Sequence, residues 1–232
     1  MYHSVKSRQY LTLVIIGLFW LRALVLNVIF QVNDGDDVSG VWDLFSTASL
    51  YGAINLIVIF ALWYWSGGNL RGLGLRKEGA GKHLLIGMLF GLAMLLQHYL
   101  LTGPLIRSFV PANADQGIDM PLLFQNTADI PFWILLSVFK GGFEEELWRS
   151  FEMNSFKRVF GKAGLVFGLI AGAVFFGLQH SYQGLDSVIS TGFDGLLYGL
   201  IYLRRRSVIE AMAAHATFDI ISILAGYYIY AG

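Results

Sequence analysis

The sequence predicts an all-α protein: a polytopic transmembrane bundle of about seven helices with its amino terminus in the cytoplasm. Three observations carry that prediction. Of the 232 residues, 56% are hydrophobic and only 14% charged, whereas a soluble domain carries about 25% charged residues. Mean hydropathy is +0.59. The apolar residues come in continuous runs, not in the alternation of an outer-membrane strand, and several runs approach the roughly 20 residues that cross the hydrocarbon.

Seven runs qualify: residues 10–30, 46–65, 84–105, 130–153, 163–181, 188–203 and 208–230. The first is too long for the core of a secretory signal and lacks a small-x-small cleavage site, so it reads as a retained span. The whole chain, 1–232, reads as a single integral membrane domain with no second, soluble unit, and its chemistry-bearing part lies at about 130–230. The fifth run carries Gly164, Gly168, Gly172 and Gly177. Such spacing lets helix backbones approach closely in lipid, and it predicts that this helix is central.

Orientation follows from the basic residues. With the amino terminus inside, the inner connections hold 12 of the 16 Lys and Arg and the outer ones hold only Arg107, a strong positive-inside bias. Arg22 falls in the middle of the first span, where an intramembrane cation is expected to face the bundle and pair with an acid, or to snorkel. His98 reads as a bundle-facing residue, Asp194 as lining a cavity or pairing with Arg22, and Glu210 as interfacial beside Arg204, Arg205 and Arg206. The connection 104–129, with Pro111 and Pro121 and just ahead of Pro131, has room for an interfacial helix or lid. Net charge is zero, which gives no hint of nucleic acid as a partner, and the absence of cysteine excludes disulfides and thiolate chemistry.

The fourth run ends in Lys140-Gly-Gly-Phe-Glu144-Glu145-Glu146-Leu-Trp-Arg149. Ionisable groups in a membrane segment are costly and are functional candidates by default. Helical neighbours lie four apart, so Glu145 is expected to be held by Arg149, with Glu152 continuing that line. Glu144, about 100° round the helix, is then free to enter a cavity and act as a general base. Lys140, one turn earlier, would weaken it if it points that way. Later the chain offers Phe176 one turn before His180, and His215 one turn before Asp219. A glutamate and two histidines from three helices can activate water and stabilise an oxyanion, or bind Zn²⁺ with one position open. In the zinc case the ligands are expected to be Glu144, His180 and His215.

Glu144-Glu145-x-x-x-Arg149, Phe176-x-x-x-His180 and His215-x-x-x-Asp219 together resemble the motif set of the CAAX-protease and bacteriocin-processing (CPBP) intramembrane endopeptidases. That family includes type II CAAX prenyl endopeptidases and proteins of the abortive-infection group. The resemblance spans about residues 139–228. It implies an integral enzyme of a prokaryotic plasma membrane whose site opens to the cytoplasm and cleaves a membrane-associated or prenylated peptide. It also implies roles: Glu144 as base with His180, Glu145 and Arg149 as supports, and His215 with residue 219 as the oxyanion pair. No certain cofactor follows, since the family is described both with zinc and as a glutamate protease. The sequence departs from the pattern at Asp219, where Asn is usual, at Ser150, where Gly is common, and in the added Lys140. An ionised Asp219 cannot donate to an oxyanion; it is expected to orient His215 instead.

Signatures of the other membrane proteases, HExxH, Gly-x-Ser-Gly and Gly-x-Gly-Asp, are absent. A proton-coupled transporter using Glu144, Asp194 and His215 is the rival reading, weakened by the lack of an inverted repeat. A non-catalytic scaffold or immunity protein of the same fold is the third. Depth adds a constraint. His215 lies about 14 Å along its helix from Arg206, and His180 about 27 Å from Lys162. The two histidines can meet only if the fourth helix runs on past Glu152 and turns below the membrane.

Overall fold

The computed structural model describes residues 2–25, 41–110 and 126–230, and all regular structure among them is helical. The helices are α1 (Tyr2–Ala23), α2 (Val41–Trp65), α3 (Ala80–Gln97), α4 (Gly103–Phe109), α5 (Ile130–Leu136), α6 (Glu146–Leu178), α7 (Leu185–Arg205) and α8 (Val208–Tyr230). The end of the first apolar run, and Pro111 and Pro121 with most of the connection 104–129, lie outside the described residues.

Four helical stretches are long and apolar enough to cross a membrane: Val41–Trp65, Ala80–Phe109, Thr127–Leu178 and Val208–Ile229. Leu, Ile, Phe and Trp side chains are exposed all round them, for example Ile57, Leu100, Leu135 and Ile170. An exterior so apolar is stable against lipid and not against water. The chain is an integral membrane protein. Helices α1 and α7 are more polar than these four stretches.

Thr127–Leu178 spans 52 residues, far more than one crossing needs. It folds back on itself at Gly161, whose φ of 63° and ψ of −138° are not helical. No side chain crowds that position, so the turn is made by backbone freedom that glycine alone has. The two arms then lie against each other along the predicted glycine stripe. A Cβ on Gly164 would sit 2.2 Å from the Phe156 carbonyl oxygen, and one on Gly168 3.0 Å from Met153 Cα. Gly177 makes a similar approach to α7, 2.3 Å from the Val188 carbonyl oxygen. The stripe therefore works as expected, but the second arm is not central. Another face, with Val166, Phe167, Ile170 and Val174, is exposed, because Gly164, Gly168 and Gly172 all serve the seam with the first arm and only Gly177 turns to α7.

Aromatic rings lock α1 to this hairpin. Trp20 stacks between Phe156 (5.3 Å) and Phe175 (4.7 Å), and its indole N–H donates to Glu152 at 2.7 Å. At the basic end, Asn154 donates to the Tyr202 hydroxyl at 2.7 Å. Gly161 is seven residues further on, so the hairpin turn lies roughly 10 Å beyond the level of Tyr202. The fourth helix does run past Glu152 before turning, as the depth constraint requires.

Several isolated charges settle only partly as expected. Of the two courses expected for Arg22, facing the bundle is excluded and the outward one is left: it is exposed on the outer face beside Leu18 and Leu21, because α1 turns its Ile16 and Trp20 side inward. Asp194 is buried and faces His98, with Nδ1 and Oδ2 3.7 Å apart, not Arg22. Glu210 lies beside Arg204 and Arg205 as expected, at 2.9 Å and 3.7 Å, but it is fully buried in the protein and is also bound by His83 at 2.6 Å.

Candidate active site

The acidic triplet does not sit on an ordinary helix. From Ser137 to Glu145 the backbone widens into a π-helix before α6 begins at Glu146. Hydrogen bonds five residues apart insert extra chain into each turn and change which residues share a face; such segments recur at functional sites. Within this segment Gly141 faces α8. A Cβ there would lie 2.5 Å from Asp219 Oδ2 and 3.3 Å from His215 Nε2. Any larger residue would displace the Asp219 carboxylate and crowd the His215 ring.

The changed register corrects the expected pairing. Arg149 does not hold Glu145. It pairs with Glu146, Nε to Oε2 at 3.1 Å, one helical turn away within α6, and both side chains are buried. Its guanidinium also lies over the Phe176 ring at 4.3 Å. Glu152, expected on the Glu145–Arg149 line, accepts indole N–H bonds from Trp20 and Trp148.

Lys140 points at the glutamates. Its ammonium donates to Glu144 and, at 3.0 Å, to Glu145 Oε1. Glu144 is 2% exposed, and its other oxygen accepts from Asn55 of α2 at 2.9 Å. Both Glu144 oxygens are thus engaged, away from the histidines. Glu145 is the carboxylate that looks toward them: its Oε2 lies 3.8 Å from His215 Nε2, and its side chain is 17% exposed.

His215 is buried at the centre of the group. Glu146 Oε1 bonds its Nδ1 at 2.9 Å, and Asp219 Oδ2 lies 3.6 Å from its Nε2. The residue that orients this ring is therefore Glu146, not Asp219 as expected, because the i, i+4 spacing leaves Asp219 short of hydrogen-bond contact while Glu146 reaches Nδ1 directly. Tyr198 stacks on the same ring at 4.4 Å. His180, just past the end of α6, bonds the Phe176 carbonyl oxygen through Nδ1 at 2.8 Å. Its ring meets Phe176 at 4.8 Å, and Phe176 meets His215 at 5.9 Å. Phe176 fixes His180 as the spacing predicts and also joins the two imidazoles. The fields of Glu145, Lys140 and His215 all reach His180.

Glu145, Glu146, Arg149, His180, His215 and Asp219 are thus gathered at one place, and Glu144 backs onto it through Lys140. Sequence reasoning missed three participants. Asn55 had a signal, a lone amide in an apolar run. Glu146 had one in its i, i+3 spacing to Arg149. Tyr198 had none. The trio Glu144, His180 and His215 does not fit a zinc site here. Glu144 is turned toward Asn55 and Lys140, whose ammonium would repel a cation, and among the described residues no group of three His, Asp or Glu side chains is arranged to hold a metal.

Comparison with known proteins bears out the resemblance. The family described as type II CAAX prenyl endopeptidase Rce1-like matches residues 126–221, which include every gathered residue except Asn55. No curated protein and no solved structure matches the chain significantly.

Proposed function

We propose that the Rce1-like domain at residues 126–221 makes this chain an intramembrane endopeptidase that cleaves a membrane-associated, CAAX-like peptide by activating a water molecule. The observation that carries this reading is the gathering of Glu145, His180 and His215 from three separate segments of an otherwise apolar bundle. In this reading Glu145 takes the proton from water together with His180, and that water attacks the scissile carbonyl. His215, oriented by Glu146, donates to the oxyanion and offsets its charge. The proton returns through the same acid–base pair to the leaving amine. Lys140 anchors both glutamates and sets their positions. α1, α2, α3, the two arms of Thr127–Leu178, α7 and α8 are the seven crossings, with the basic connections in the cytoplasm.

A second assignment makes Glu144 the base, as the motif order of the resemblance implies, and requires Lys140 to release it. A cleavage assay on prenylated peptides in liposomes separates the two. Glu145→Gln is expected to lower turnover by about 10²-fold or more and Glu144→Gln by much less, while His180→Ala matches Glu145→Gln. The reverse order of the glutamates would transfer the role of base to Glu144. Unchanged turnover in all three would end the protease reading. Turnover that persists after exhaustive chelation is expected, and its loss with recovery on adding zinc would overturn the metal-free mechanism.

A further inference from the structure

At the basic end of the bundle, well away from the acidic triplet, a cavity of about 400 Å³ opens between the turn after α2, the α6 hairpin and the α7–α8 turn. Arg71, Arg76, Lys157, Arg158 and Arg206 line it, and none of its described lining residues is acidic. Lys157 is about 18 Å along the helix from Glu145, so this is not an extension of the candidate active site.

Like charges around one hollow repel, and clefts lined by one sign of charge focus the field and concentrate counter-ions. Among the described residues the exposed Glu78 pairs with Arg71 at 2.9 Å and its carboxylate also feels Arg76, while no ion pair within 4.0 Å engages Lys157, Arg158 or Arg206. Arg158 is held in place: it bonds the Ser66 hydroxyl at 3.0 Å and the Ser66 carbonyl, and lies over the Trp63 ring at 4.7 Å. Arg206 Nη1 is buried with no hydrogen-bond partner among the described residues. A guanidinium donor without a partner in a buried setting is costly, and a bound anion would satisfy it. The volume is within the range of ligand pockets and suits a phosphate with its substituents, not a whole lipid.

We infer that this cavity is a binding site for a phosphate-bearing anion, supplied either by the headgroup of an anionic phospholipid or by a soluble phosphorylated compound. Guanidinium groups recognise phosphate through paired, charge-assisted hydrogen bonds. The basic end is the one that the Lys and Arg distribution assigns to the cytoplasm, and anionic lipid on that leaflet attracts such clusters.

The test uses the full chain in detergent, melted alone and with phosphatidylglycerol, phosphatidylcholine or inorganic pyrophosphate. A ligand that binds the folded state raises the melting temperature. Phosphatidylglycerol is expected to raise it and phosphatidylcholine not. The combined change Arg76→Gln and Lys157→Gln, both at exposed positions, is expected to abolish the shift, while Lys82→Gln, an exposed cation outside the cavity, leaves it intact. A shift with pyrophosphate but not phosphatidylglycerol, lost in the same double variant, assigns the soluble source. The inference fails if neither probe stabilises the wild type, if the double variant responds like the wild type, or if Lys82→Gln removes the shift equally.

Discussion

At the scale of single residues, Lys140 decides how the site is built. Two neighbouring carboxylates with little access to solvent cannot both stay charged without a cation, and Lys140 bridges them. Removing one partner from a buried ionic group costs about 3–5 kcal/mol, because the charges left behind are uncompensated. Lys140→Met is accordingly expected to lower the melting temperature by several degrees in detergent, and the double variant with Glu144→Gln to recover most of that loss. A Lys140→Met protein as stable as wild type would show that the bridge carries no weight. The sequence exposed Lys140 as a question of direction only. Spacing left Arg149 two glutamates, Glu145 at i, i+4 and Glu146 at i, i+3, and could not choose between them, since both rules presume an α-helix and the chain is π-helical up to Glu145.

Among the elements, the α6 hairpin is the one whose logic was most readable. The stripe Gly164, Gly168, Gly172 and Gly177 announced a close approach, and the depth of the two histidines required a turn below the membrane. The gap between the apolar runs 130–153 and 163–181 bracketed that turn, but its exact residue was hidden, because one Gly between Phe160 and Lys162 does not interrupt the helical pattern. The two kinds of glycine make a separable prediction. Gly161→Ala meets no neighbour and costs only backbone strain, about 1–3 kcal/mol. Gly164→Leu forces the arms apart and is expected to abolish folding or turnover, since its Cβ already meets a backbone oxygen at 2.2 Å. Thermal melts of both variants check this; a Gly164→Leu protein that is milder than Gly161→Ala would contradict the seam.

For the whole molecule, composition and the continuous apolar runs made the membrane class plain, and three polar motifs in apolar helices marked the site. Burial of isolated charges was harder to read. Glu210 and Asp194 find partners on helices far away in sequence, His83 and His98 on α3 and its extension, and no local pattern encodes such a meeting. Arg22, by contrast, turns outward because the aromatic side of α1 claims the interior.

The turn at Gly161 also makes the chain divisible. It joins two arms already held together by their glycine seam and by the Trp20 stack on Phe156 and Phe175, and exposed turns are where chains tolerate interruption. Residues 1–160 and 161–232, expressed as two polypeptides, are expected to reassemble in the membrane and co-purify. Each half alone would be silent, because Glu145 and Glu146 lie on one and His180 and His215 on the other. Cleavage by the mixture would then report fragment complementation, and two halves that never co-purify would mean that the peptide link at Gly161 is itself required for assembly.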